Sequence, residues 1–313
     1  MIKKIKDLQD GDKLKIKLLI SQINKGVTNK GAPYLSLVLQ DNTGAMDAKY
    51  WNVEESQLEL YKAGMICEFT VDILSHNKQL QIRVQSIEIL HRKEEDLSEY
   101  VRSSTIPKAQ LKEEVYATIE NMQNEVYKNI TKAVVDEFEK DFFTYPAASR
   151  IHHDFVGGLA THVCGMLKLG NYFCDLYPLL DRDLLLSGII VHDIGKLFEL
   201  SGPVITEYTL EGKLLGHISI MHAKLSEKAD TLGYEGEEVT LLRHMILSHH
   251  GEYEYGSPVL PLLPEAEMLH YIDNIDARMN ILDKEFVKTQ KGEFTQKIFA
   301  LENRTFYKAS NKE

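Results

Sequence analysis

In the first part of the chain, apolar and polar positions alternate over short stretches. In "PYLSLVLQD", Leu35, Leu37 and Leu39 fall on one face of an extended chain, and Tyr34, Ser36, Val38 and Gln40 on the other. That is the two-residue period of a half-buried strand. "KLKIKLLISQI" starts with the same alternation, and "DNTGAMDAKYW" reads as a turn leading into a strand. "MICEFTVDILSHNKQLQIRVQSIEIL" reads as two strands joined through "SHNKQ". A short helix is expected at "NVEESQLELYKAG". About five strands within residues 1–91, without a helix between each pair, predict a small antiparallel barrel. A charged stretch, "HRKEEDLSEYVRSS" at 91–104, then marks a boundary. Beyond it the period becomes helical, with Leu111, Val115, Ile119, Met122 and Val126 spaced by three and four. Pro107 stands where a helix can start.

Composition changes this picture little. The 313 residues are 43% hydrophobic and 27% charged, as in a globular chain, and long enough for a sizeable core. No apolar run approaches the roughly 20 residues of a membrane span. The start, "MIKKIKDLQDGDKLKIK", lacks the apolar core and cleavage site of a signal peptide, so a cytoplasmic location is expected. Cys67, Cys164 and Cys174 are few and unpaired in spacing, and are expected as buried free thiols. The net charge of −11 argues against a general nucleic-acid binder. Yet residues 1–30 carry eight lysines against three aspartates, a net +5. A basic front on an acidic body permits a local anionic partner.

Five short strands in this arrangement make an OB-type barrel the natural candidate. The order strand, "NKGAPY", strand, "DNTG", strand resembles nucleic-acid-binding OB domains. Such domains hold single strands with a basic groove and stacking aromatics. Lys30, Tyr34, Lys49, Trp51, Lys78 and Arg83 are the candidate contacts, with His76 beside them. Trp51 has a second reading, as filler of the barrel interior.

The second part of the chain carries a different signal. Ten of the chain's twelve histidines lie between 152 and 270, and several sit in apolar stretches expected to be helical. "GGLATHVCGMLKLG" brings His162, and "LLLSGIIVHDIGKLFEL" brings His192 beside Asp193. "LLGHISIMHAKLSEKA" brings His217 and His222, and "LLRHMILSHHGEYEYG" brings His244, His249 and His250. "PEAEMLHYIDNIDARM" brings His270, Asp273 and Asp276. A carboxylate in an apolar helix is costly unless it is paired or metal-bound. Imidazole and carboxylate together suit Mn, Fe or Zn. Adjacent helical positions point about 100° apart, so His192 and Asp193 can reach one ion while Asp193 bridges to another. Two ions about 3.5–4 Å apart form the usual centre for phosphoester hydrolysis.

The ordered set His162, His192-Asp193, His217, His249-His250 and Asp273 resembles the HD-domain metal-dependent phosphohydrolases over roughly residues 150–285. "HDIGK" resembles their central motif and "GGLATH" the approach to the first histidine. The resemblance implies that His162, His192, Asp193 and Asp273 hold one ion. Asp193 then bridges to a second ion held by His217, His249 and His250. It implies catalytic parts for Asp193, for Lys196 on a substrate phosphate, and for His153, with His152 beside it, as general acid or phosphate donor. His222, His244, His270 and Asp276 are expected outside the ligand set.

Barrel, helical segment and HD domain in that order resemble the YhaM-type 3′→5′ exoribonucleases. The implied organisation is an OB-fold domain at 1–91, a charged linker and helical segment at 92–145, and an HD phosphohydrolase domain at 146–313. The implied activity is release of nucleoside 5′-monophosphates from single-stranded RNA, and secondarily from single-stranded DNA, by attack of a metal-activated hydroxide. The implied cofactor is two divalent ions: Mn²⁺ first, with Co²⁺, Fe²⁺, Zn²⁺ and Mg²⁺ as alternatives. A homo-oligomer is expected and no membrane partner. The alternatives are a hydrolase of a small nucleotide or cyclic dinucleotide with a regulatory barrel, and a single-strand binder with a structural metal site.

Overall fold

The alternating stretches become five strands: β1 (Lys13–Val27), β2 (Pro33–Asp41), β3 (Gly44–Trp51), β4 (Ile66–His76) and β5 (Gln79–Ile89). The computed structural model describes residues 3–28, 31–76, 79–90, 99–148, 153–203 and 206–311. The chain divides into two compact units, 1–103 and 104–313.

In the first unit the strands hydrogen-bond in the order β1-β2-β3-β5-β4, and β4 closes on β1. This is an OB-like barrel. One pairing, β3 with β5, is parallel, against the expectation of an antiparallel barrel. Strands of alternating direction cannot close a ring of odd number, so one like-directed pair is unavoidable. Leu35, Leu37 and Leu39 point inward together with Ile16, Leu18, Phe69, Ile73 and Ile82, all buried. Burying each such side chain contributes about 1.5–3 kcal/mol. The "DNTG" turn is held by the Asp41 carboxylate, which accepts N–H bonds from Thr43 at 2.7 Å and Ile5 at 2.8 Å. The helix expected at "NVEESQLELYKAG" is only a 3-10 turn at Glu55–Gln57. Its apolar residues form no helical stripe, since Val53 and Tyr61 are buried while Leu60 is exposed.

The second unit is helical: α1 (Lys108–Glu120), α2 (Glu125–Phe142), α3 (Gly158–Leu176), α4 (Arg182–Val191), α5 (Lys196–Glu199), α6 (Leu210–Leu232), α7 (Glu237–Ser248) and α8 (Pro264–Lys288). Leu111, Val115 and Ile119 of α1 and Ile130 and Val134 of α2 share one core with α3, α4, α7 and α8. The helices of 92–145, expected between the two domains, therefore belong to the second unit. Asn124 and Asp181 cap α2 and α4, accepting N–H bonds from Val126 and Tyr127 and from Asp183 and Leu184. Cys67, Cys164 and Cys174 are buried and free, as expected. Among the described residues, no helix is long and apolar enough to cross a membrane.

Candidate metal centre and single-strand face

The "HDIGK" stretch does not continue a helix. α4 ends at Val191, so His192 and Asp193 stand in the turn before α5. The expectation of one helix is corrected by this break, which turns both side chains toward the middle of the unit. His249 repeats the arrangement at the end of α7. Both imidazoles donate Nδ1–H to a carbonyl three residues back, His192 to Ile189 and His249 to Ile246, each at 2.8 Å. His250 donates to the Tyr255 carbonyl at 2.7 Å. His217 Nδ1 faces a Glu199 carboxylate oxygen at 3.2 Å. In each ring Nδ1 is thereby engaged, which leaves Nε2 with its lone pair.

The lone pairs of His192, His217 and His249 converge on Asp193, whose side chain is 3% exposed. Its Oδ2 lies 3.3 Å from His192 Nε2 and 2.6 Å from the Lys196 ammonium. Its Oδ1 lies 3.5 Å from His217 Nε2 and 3.8 Å from His249 Nε2. Thus one carboxylate oxygen faces each group of imidazoles. Burial pushes the Asp193 pKa up, but Lys196, His192 and His217 outweigh it and hold the group ionised. Burial keeps His249 and His250 neutral, and their neighbouring imidazoles add to the effect.

A pair of carboxylates surrounds His162 of α3. Its Nδ1–H donates to Asp276 Oδ2 at 2.6 Å, and its Nε2 lies 3.1 Å from Asp273 Oδ1. Burial disfavours charge on this ring, but the two aspartates outweigh it and lift the pKa to about 9. A cation bound at His162 must displace that proton. In chelator-stripped protein, Mn²⁺ affinity at this position is expected to rise about tenfold per pH unit between roughly pH 6.5 and 8.5. Titration calorimetry across that range checks it, and a flat profile would show that no proton leaves.

The donor set fits divalent metal. His192 Nε2, Asp193 Oδ1, His217 Nε2 and His249 Nε2 are buried acceptors without a hydrogen-bond partner among the described residues. Buried polar atoms are rarely left so. His162, His192 and Asp193 bring ligand atoms within 4.8 Å of one another, as do His217, His249 and His250. Imidazole and carboxylate mixtures suit Mn, Fe, Zn and similar ions.

The sequence-predicted residues His162, His192, Asp193, His217, His249, His250, Asp273 and Lys196 are all brought together. His153 is placed differently from its expected part in the chemistry. Its ring is buried and its Nε2–H donates to Asp276 Oδ2 at 2.8 Å, behind His162. His152 lies outside the described residues. His222 accepts from Arg243 Nε at 3.0 Å and His244 from the Leu262 N–H at 2.9 Å, away from the ligand atoms. Sequence reasoning left Asp276 at the margin and missed Glu199. A signal existed for each: Asp276 follows Asp273 by one turn of α8, and Glu199 follows Lys196 by three.

On the barrel, Gly26, Tyr34 and Trp51 are cross-strand partners across β1, β2 and β3. A Cβ on Gly26 would lie 2.4 Å from the Tyr34 ring, so the glycine lets that ring lie on the sheet. Tyr34 and Trp51 are 4.7 Å apart between ring centroids, and Lys49 Nζ lies 5.5 Å from the Tyr34 centroid. Trp51 is 43% exposed, which excludes the interior-filler reading. Arg83 is next to Lys49 in register but is paired with Asp72. Lys30, Lys78 and the side chain of His76 lie outside the described residues.

The family model for the HD domain matches residues 159–278. A protein of Geobacillus sp. (strain WCH70), 3′-5′ exoribonuclease YhaM, is 44% identical over 309 residues, covering 98% of this chain and 95% of its own. The second OB-fold domain of replication protein A from Methanococcus maripaludis, a solved structure, is 26% identical. It covers 30% of this chain and 98% of its own, with a TM-score of 0.25. Rim1, a mitochondrial single-stranded DNA binding protein of S. cerevisiae, is 19% identical, covering 27% of this chain and 100% of its own, with a TM-score of 0.22.

Proposed function

The chain belongs to the YhaM family of 3′-5′ exoribonucleases, and on that premise we propose that the histidine–aspartate cluster is its hydrolytic centre and the Tyr34–Trp51 face its single-strand platform. The protein is a metal-dependent 3′→5′ exoribonuclease with an HD phosphohydrolase domain. One observation carries the reading of the centre: the two oxygens of Asp193 face different groups of imidazoles. His162, His192, Asp193 and Asp273 would hold one divalent ion. Asp193, His217, His249 and His250 would hold a second, with Mn²⁺ the ion we propose. When bound, the ions would activate water and offset charge on the phosphoryl oxygens.

The chain's own residues set up that chemistry. Carbonyls of Ile189, Ile246 and Tyr255 fix three imidazoles with Nε2 inward, so the ligands need little reorganisation. Lys196 places an ammonium at the floor of the site, where it offsets charge on a substrate phosphate. His153 acts through Asp276 on the orientation of His162. The substrate is single-stranded RNA, with single-stranded DNA as a second substrate. The 3′ oxygen of the penultimate nucleotide leaves, and a nucleoside 5′-monophosphate is released. Tyr34 and Trp51 stack on bases, and Lys49 meets the backbone.

The test is Mn²⁺ with a 5′-labelled single-stranded RNA, resolved on a sequencing gel. Bands shortening from the 3′ end support the reading, and intact RNA overturns it. A Trp51→Ala variant refines the barrel's part. Loss of one stacking contact, worth about 1–3 kcal/mol, is expected to raise KM for long RNA roughly 5- to 150-fold. Its kcat at saturating RNA should move less than about twofold, since stacking on the barrel is uniform binding. An unchanged KM would remove Trp51 from the platform.

A further inference from the structure

α5 and α6 meet around one imidazole. α6 is broken at Gly216, whose φ of 71° and ψ of 153° leave the helix. His217 therefore opens the second part of α6, where a backbone N–H has no partner within the helix. Glu199, the last residue of α5, supplies one. Its Oε1 lies 3.2 Å from the His217 backbone nitrogen and 3.2 Å from His217 Nδ1. A single carboxylate oxygen thus accepts from both the backbone and the ring of the same residue.

The contact is built rather than incidental. The side chains of Glu199 and His217 are 12% and 11% exposed. A Cβ on Gly195 would lie 2.1 Å from the His217 carbonyl oxygen, so the absent side chain lets the HDIGK turn approach α6. Burial disfavours the Glu199 carboxylate, but His217 outweighs it and keeps the group ionised. The other imidazoles of this group, His249 and His250, are oriented by neutral carbonyls. Within it, among the described residues, His217 alone has a charged orienting partner. His162, in the other group, is oriented by Asp276 from α8, a separate element.

Resting on the ligand assignment above, we propose that Glu199 is a positioning residue for the second ion: it holds His217 with Nε2 toward Asp193 and sets that ion's affinity while leaving the first ion's unchanged. A carboxylate on Nδ1–H fixes the tautomer and makes Nε2 a stronger donor.

The experiment titrates chelator-stripped, full-length protein with Mn²⁺ by calorimetry, comparing wild type with Glu199→Ala and Glu199→Gln. Wild type is expected to show two binding events. Glu199→Ala is expected to weaken one of them about 10- to 100-fold, and the other less than about twofold. Glu199→Gln restores the weakened event to within about threefold of wild type, because its amide oxygen still accepts both N–H groups. Should Glu199→Ala fail to fold by circular dichroism, Glu199→Asp takes its place: the charge remains, the reach is lost, and the same selective weakening is expected. Two wild-type-like events in Glu199→Ala would overturn the proposal. So would equal weakening of both events in a folded variant, which would make Glu199 a general latch. A His217→Ala control that keeps both events would instead sink the ligand assignment itself, and this proposal with it.

Discussion

Asp193→Ala is expected to lower RNA shortening by about 10³-fold or more, the upper scale seen when a group that stabilises the reacting centre is removed. The size follows from position. Asp193 faces His192 and Lys196 with one oxygen and His217 and His249 with the other. Its loss removes a ligand from both proposed ions at once, where loss of any one histidine removes a ligand from one. The substitution also strands the Lys196 ammonium, whose side chain is 11% exposed. Breaking a buried pair on one side costs about 3–5 kcal/mol. Asp193→Ala should therefore melt earlier than wild type when both are free of metal. Asp193→Asn keeps the shape and an acceptor oxygen, and should lose activity with a smaller loss of stability. Product lengths on a sequencing gel and thermal melting in chelator check the two effects separately. Near-wild-type turnover by either variant would remove the carboxylate from the centre.

Saturating Mn²⁺ should raise the melting temperature of the second unit. An ion at 100 times its Kd stabilises the native state by about 2.7 kcal/mol. For a unit of residues 104–313, each kcal/mol moves Tm by roughly 2–4 °C. The expected rise is about 5–10 °C for each ion. Chelator should reverse it, and Asp193→Ala should abolish most of it. The physical source is the set of buried acceptors around Asp193 that have no hydrogen-bond partner among the described residues. Those atoms carry a desolvation penalty in the folded chain that a cation removes. This measurement is independent of any nucleic acid. A melting temperature unmoved by Mn²⁺, Co²⁺, Fe²⁺ and Zn²⁺ would contradict the ligand assignment even in an active enzyme.

Much of the site was legible because its signal is chemical type in order along the chain. Histidines in apolar stretches, with one carboxylate beside His192 and another at Asp273, are unusual enough in combination to point to metal. The errors fell where geometry decides. "HDIGK" looked helical because its apolar residues continue the pattern of α4, yet the chain breaks after Val191. His153 was legible as a histidine near the site, but its bond to Asp276, 123 positions away, was not. Glu199 looked like an ordinary charged residue one turn past Lys196. Its meaning depends on the bend at Gly216, which brings His217 back over α5.

By itself the amino-acid sequence determined the two kinds of architecture and the inventory of the centre. Alternation at Leu35, Leu37 and Leu39 and three-four spacing from Leu111 onward are local patterns, because which face of a strand or helix seeks the core is set residue by residue. Only the tertiary structure decided the barrel's parallel β3–β5 pairing, the Gly26–Tyr34–Trp51 row, the tautomers of the clustered imidazoles and the division of Asp193 between two groups. Each of those is a relation between atoms far apart in the chain, and such relations are set by packing and by the need of every buried donor and acceptor for a partner.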